Sequence, residues 1–107
     1  MQVLVTGATG YIGGRLVPRL LEAGHHVRCL VRDPGRLNDD PWRDRVEVVR
    51  GDIHDPSSLD AALEGCDVAY YLVHSMDGAD GFAERDRDGA ANFRSAAERV
   101  GLRRIVY

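Results

Sequence analysis

The chain contains no lysine; all 14 of its basic residues are arginines. Cysteine is scarce as well. Cys29 and Cys66 form no Cys-x-x-Cys pair, and the four histidines are scattered, so no spacing suited to a metal is present. Both cysteines lie in or beside apolar strand patterns and read as buried free thiols of a reducing cytoplasm rather than a disulfide. No apolar run is long enough to cross a bilayer. Met1 leads straight into a strand pattern with no basic or apolar leader, so a cytoplasmic location and no membrane partner are expected. A formal net charge of −3 gives no electrostatic reason to expect nucleic acid. Internal repeats, linkers and low-complexity segments are absent too, which predicts one unit over 1–107.

What is present is a soluble, globular composition, with 44% hydrophobic and 29% charged residues in 107. Its organising stretch is Val3–Gly14, VLVTGATGYIGG. A β-branched run enters three glycines, Gly7, Gly10 and Gly13, spaced Gly-x-x-Gly-x-x-Gly, and a helical pattern follows. A strand that turns tightly into a helix presents unpaired N–H groups and the positive end of the helix dipole, which together favour a phosphate. In such a loop the first glycine permits the turn, the second lets backbone approach a pyrophosphate, and the third allows close packing.

Apolar periodicity predicts the remaining elements. Gln2–Thr6 reads as a strand covered on both faces. A helix follows over about Tyr11–Ala23, with Ile12, Leu16, Val17, Leu20 and Leu21 on its buried face and Gly24 as its cap. Pro18 predicts an irregularity near Gly14 rather than a helix end. His26–Val31 is a strand, and Arg32–Arg45 a polar loop with at most a short helix started by Asp33-Pro34. Within it Trp42 reads as an apolar plug, or as a platform for a ligand base. Val46–Val49 is a third strand, Asp55-Pro56 opens a short helix closed by Gly65, and Asp67–Val73 is a fourth strand. A loop over His74–Gly81, a long helix from about Phe82 to Val100 and a strand beginning at Ile105 complete the chain. Alternating strands and helices imply an α/β, Rossmann-type, doubly wound parallel sheet that stops at its fifth strand. That strand leaves a sheet edge open to association.

In such a sheet ligands bind beyond the carboxyl ends of the strands. Arg32 ends the second strand, where an acid would hold the ribose 2′-hydroxyl of NAD and an arginine offers a planar fork to the 2′-phosphate of NADP. NADP(H) is therefore favoured over NAD(H). Arg36 adds a second cation; Asp33 could itself be a ribose-binding acid but reads first as the cap of the turn at Pro34. Asp52 reads either as an acceptor for the adenine amino group, with Ile53 against the ring, or as a turn residue. His74 has acid–base capacity, but a single histidine after a strand reads first as a backbone-anchored loop residue. Tyr70 and Tyr71 read as core residues on opposite faces.

Val3–Gly14, Val27–Pro34 (VRCLVRDP), Arg50–Ile53 (RGDI), Val68–Ser75 (VAYYLVHS) and Ala96–Tyr107 (AAERVGLRRIVY) together resemble the N-terminal half of extended and atypical short-chain dehydrogenases/reductases, especially the NAD(P)H-binding, NmrA-like group. The resemblance implies a pyrophosphate loop at Gly7, Thr9, Gly10, Tyr11, Ile12 and Gly13. It implies a 2′-phosphate contact at Arg32, adenine contacts at Asp52 and Ile53, and passage of the nicotinamide ribose along Leu72, Val73 and His74. The family's catalytic Tyr-x-x-x-Lys lies beyond the fifth strand; with no lysine, these residues cannot contain it, and Tyr107 is a strand residue rather than its tyrosine. The expected function is that of a cofactor half of an oxidoreductase whose small-molecule substrate enters only with further parts. A non-catalytic redox sensor and a structural half-domain are the alternatives.

Overall fold

A computed structural model of the chain describes residues 1–73 and 80–107, with side chains of residues 80–86 left aside. Five parallel strands, β1 (Gln2–Thr6), β2 (His26–Val31), β3 (Glu47–Arg50), β4 (Val68–Tyr71) and β5 (Arg104–Val106), form one sheet in the order β3-β2-β1-β4-β5. Three helices, α1 (Tyr11–Glu22), α2 (Pro56–Leu63) and α3 (Asp80–Val100), connect them. The doubly wound α/β expectation is met.

Burial on both faces explains why β1 reads as continuously apolar. Val3 and Val5 join Val17, Leu20, Val27, Cys29, Val31, Leu37 and Trp42 on the α1 face. Leu4 joins Leu30, Leu59, Leu63, Ala69, Tyr71, Phe93 and Ala96 on the face covered by α2 and α3. Trp42 is 5% exposed, so it is the apolar plug beneath its loop and not a platform. The loop folds as two 3₁₀ turns, Pro34–Leu37 and Arg43–Arg45.

The ends of elements follow local chemistry. After α1, Gly24 at φ +89° donates to the Leu21 carbonyl, and His25 donates to that of Leu20, a Schellman pair. The helix continues through Pro18 to Glu22. The third strand runs one residue later than expected, and Gly51 N–H then donates to the Val31 carbonyl at 2.9 Å. The fourth strand is shorter at both ends. At its start Asp67 donates its amide to the Gln2 carbonyl at 2.8 Å and accepts the Gln2 amide on its carboxylate at 2.9 Å; past Tyr71 the Leu72 amide reaches the carbonyl and hydroxyl oxygens of Thr6, both at 3.3 Å. Cys66 is half-buried rather than buried, its sulfur 3.4 Å from the Arg28 guanidinium. Arg28 is a long-range cap: its Nη1 donates to the Ala62 and Glu64 carbonyls at the end of α2, at 2.7 and 2.8 Å, while its Nε pairs with Glu47 at 2.6 Å.

Among the described residues, no helix is long and apolar enough to cross a membrane and no cluster of potential metal ligands occurs.

Candidate functional site

From β1 the chain winds outward through β2 to β3, then returns to place β4 on the other side of β1. The switch in strand order therefore falls between β1 and β4, and the glycine loop lies at that point. Thr6, 1% exposed, ties the two strand ends together. Its hydroxyl donates to the Tyr70 carbonyl at 3.1 Å and accepts the Leu72 amide at 3.3 Å. In the sequence Thr6 is only a strand end, and its one signal is a polar residue after the apolar run Val3–Val5.

Two of the three glycines are required by contact. Gly7 has φ +82°, and a Cβ there would lie 2.8 Å from the Leu72 carbonyl carbon. A Cβ on Gly13 would lie 2.1 Å from the Gly7 oxygen and 2.9 Å from Ala8 Cα. The first turn of α1 thus sits directly on the loop that precedes it. Gly10 donates its amide to the Gly7 carbonyl at 3.0 Å and accepts that of Gly14 at 2.9 Å.

This construction leaves the helix end bare. Gly10 is its N-cap, no side chain caps it, and its first turn contains no acid. The amides of Tyr11, Ile12 and Gly13 have no protein acceptor among the described residues. Ile12, expected in the core, is 59% exposed, and Tyr11 is 77% exposed. Both project from the first turn, past the sheet edge that buries Val17 and Leu20. Arg15 was not singled out from the sequence. It donates to the Tyr11 hydroxyl at 2.7 Å and lies over the ring, which puts a cation one turn into this helix.

Arg32 leaves the end of β2, exposed. Arg36, on the first 3₁₀ turn, is exposed as well. The β2–β3 register pairs Val31 with Arg50, which brings a third exposed arginine to the neighbouring strand end. None of the three forms an ion pair among the described residues. Asp33 accepts the Gly35 amide on Oδ1 at 3.1 Å, the turn-capping role expected of it.

Asp52 follows β3 and takes the turn role that was one of its two readings. Its Oδ1 accepts the His54 amide at 2.9 Å, a local turn. Its Oδ2 has no partner among the described residues, so the carboxylate retains an acceptor. Ser58 accepts the Asp52 amide at 3.1 Å, and Asn92 donates to the Ile53 carbonyl at 2.9 Å. Ile53 is only partly buried. Leu72 and Val73 are partly buried on opposite faces, Leu72 against the α1-side core and Val73 against the other. His74 lies outside the described residues. The glycine loop, Arg32, Asp52, Ile53, Leu72 and Val73 thus all stand at the carboxyl ends of the strands.

Chemically, this edge offers bare amides and cations to an anion and a free carboxylate oxygen to a donor. These features fit the phosphates and adenine of a nicotinamide dinucleotide. A family model described as NAD(P)H-binding matches residues 7–107. The chain is 36% identical to a Mycobacterium tuberculosis 3 beta-hydroxysteroid dehydrogenase/Delta 5-->4-isomerase, over 99% of its own length and 30% of the relative's. It is 33% identical to a dihydroflavonol 4-reductase of Dianthus caryophyllus, over 98% of the chain and 32% of the relative. Among solved structures, a dTDP-glucose 4,6-dehydratase from Streptomyces venezuelae with NAD bound superposes with a TM-score of 0.83 at 27% identity, over 100% of this chain and 38% of that one. The chain spans about a third of the length of the curated relatives it matches. It belongs to the NAD(P)H-binding family, within the short-chain dehydrogenase/reductase superfamily, and matches the N-terminal part of these relatives.

Proposed function

We propose that this family member is the cofactor half of an NADP(H)-dependent oxidoreductase, with hydride acceptor or donor and catalytic groups supplied from outside residues 1–107. The bare first turn of α1, buttressed by Gly7 and Gly13, is the observation that carries the cofactor reading. Tyr11, Ile12 and Gly13 offer their amides to the pyrophosphate, with Thr9 and Gly10 beside it. Asp52 accepts the adenine amino group and Ile53 lies against the ring. Leu72, Val73 and His74 border the nicotinamide ribose. When bound, the dinucleotide supplies the hydride chemistry; these residues bind and orient it.

The preference for NADP(H) rests on Arg32. Arg36 and Arg50 are exposed at or just after the same two strand ends, without ion-pair partners among the described residues. A reducing cytoplasm suits the two free thiols. Fluorescence titration with NADPH and NADH tests the preference. Arg32→Ala should weaken NADPH binding by about 1.5–3 kcal/mol, the worth of a hydrogen bond to a charged group, and NADH binding far less. Equal loss for both cofactors overturns the 2′-phosphate role.

Of the relatives named above, the dehydrogenase/isomerase and the reductase support oxidoreductase chemistry for a protein of which this chain is the cofactor half. NADPH oxidation against carbonyl and quinone compounds, measured on a protein that includes the downstream sequence, tests this. Tight binding without turnover there would favour the redox-sensor alternative.

A further inference from the structure

We propose that Asn92 of α3 is a positioning residue for the adenine end of this site, holding Asp52 in the orientation that leaves its second carboxylate oxygen free. The inference rests on the cofactor reading above. It follows from one chain of contacts. Asn92 Nδ2 donates to the Ile53 carbonyl at 2.9 Å. That carbonyl belongs to the same planar peptide unit as the His54 N–H, and in a trans peptide the two point in opposite directions. His54 N–H in turn donates to Asp52 Oδ1 at 2.9 Å. Fixing the Ile53 carbonyl against α3 therefore aims the His54 amide at Oδ1, and Oδ2 is left as the outward acceptor.

A second contact grips the same residue sterically. Gly89 lies nearly one turn before Asn92, and a Cβ there would stand 2.5 Å from Ile53 Cδ1 and 3.0 Å from its Cγ1. Behind it Phe93, 1% exposed, packs on Tyr71 with ring centroids 5.1 Å apart, so this part of α3 is seated on the sheet and cannot drift. On the other side Ser58 of α2 holds the Asp52 amide. Residues 51–55 belong to no ladder or helix. The Asp55 amide closes the turn on the Asp52 carbonyl at 2.9 Å; Ser58 holds its entry, and Asn92 and Gly89 hold Ile53 within it from α3.

The test uses two dinucleotides that differ only at the base: NADPH and its hypoxanthine analogue, in which a carbonyl replaces the 6-amino group. A free Asp52 Oδ2 accepts from the amino group and repels the carbonyl. The unaltered chain should therefore prefer the adenine form by about tenfold, the value of one such hydrogen bond. Asn92→Asp, which keeps the shape but cannot donate, and Asn92→Ala should lose most of that preference. NADPH should weaken about five- to tenfold while the analogue changes less than about twofold. A purely structural role for Asn92 would weaken both dinucleotides alike, and that result overturns the proposal. Gly89→Ala displaces Ile53 by a separate route and should erase the preference too; it stands in if the Asn92 variants do not fold. Retained preference in a folded variant of either position refutes the positioning role. An unaltered chain that binds NADPH but does not distinguish the two bases removes the adenine role of Asp52 itself, a failure seen before any variant is made.

Discussion

Gly13 and Gly14 are neighbours in the first turns of α1, and alanine at the two positions should have opposite effects. Both substitutions replace a helical glycine and gain about 1 kcal/mol from backbone entropy. At Gly14 the new methyl meets only the Ala8 carbonyl oxygen, at 3.5 Å, an ordinary contact. At Gly13 it falls 2.1 Å from the Gly7 oxygen and 2.7 Å from the Gly7 carbonyl carbon. Ordinary carbon–oxygen approaches begin at about 3.3 Å, so the helix and the loop must part by about 1 Å. All the opposing atoms are backbone, and no rotamer change relieves them. Overpacking of this kind costs about 1–3 kcal/mol. Because the helical gain is common to both, the difference between the two variants isolates that cost. It corresponds to about 4–8 °C in Tm for each kcal/mol. The parting also displaces the amides of Tyr11, Ile12 and Gly13 from the loop, so NADPH affinity should fall at least about tenfold in Gly13→Ala and stay within about twofold in Gly14→Ala. Thermal unfolding by circular dichroism and NADPH fluorescence titration measure both quantities. If Gly13→Ala is as stable as Gly14→Ala and binds NADPH equally well, the close seating of α1 on the glycine loop is refuted.

Further outcomes follow from other contacts. Arg28→Lys keeps the charge but cannot span Glu47 and the two α2 carbonyls at once; it should cost about 1–3 kcal/mol in urea unfolding, and a loss below about 0.5 kcal/mol would show the cap to be idle. Burial pushes the Cys29 thiol from 9.0 up to about 12, so the native state keeps its proton where the unfolded chain has lost it. Stability should therefore fall as pH rises above about 9, by up to about 1.4 kcal/mol per pH unit. Cys29→Ala should flatten that decline relative to the unaltered chain, and parallel curves would refute the assignment. At pH 8 a thiol reagent should modify half-buried Cys66 slowly and Cys29 only after unfolding; fast modification of both would contradict the packing of β2.

Much of the site was legible before the fold was known, because its signals are local. Three glycines between an apolar strand and a helical pattern describe a strand–turn–helix whatever lies around it. Arg32 and Asp52 follow apolar strand patterns, so their place at strand ends is visible in the sequence. Local signals missed what pairing and seating decide. Ile12 fits the apolar period of α1, yet it is exposed, because the sheet ends before the helix's first turn. Arg50 is one residue of a strand end in the sequence, and only the β2–β3 register sets it opposite Val31, the residue before Arg32. Asn92 carried no signal in a helix read for its apolar face.

The amino-acid order by itself determined the alternation of strands and helices, the glycine turn after β1, and the C-terminal ends of α1 and α2. Gly24 and Gly65 both adopt positive φ where they were expected to stop helices, since hydrogen bonds within a few residues set such ends. Only the tertiary structure decided the order β3-β2-β1-β4-β5, the approach of Gly7 to Leu72, the Arg28 cap on α2 and the hold of Asn92 on Ile53. Those contacts join residues 34 to 65 positions apart. They arise when two apolar faces of one sheet are buried together, and no short stretch of chain contains the information for that.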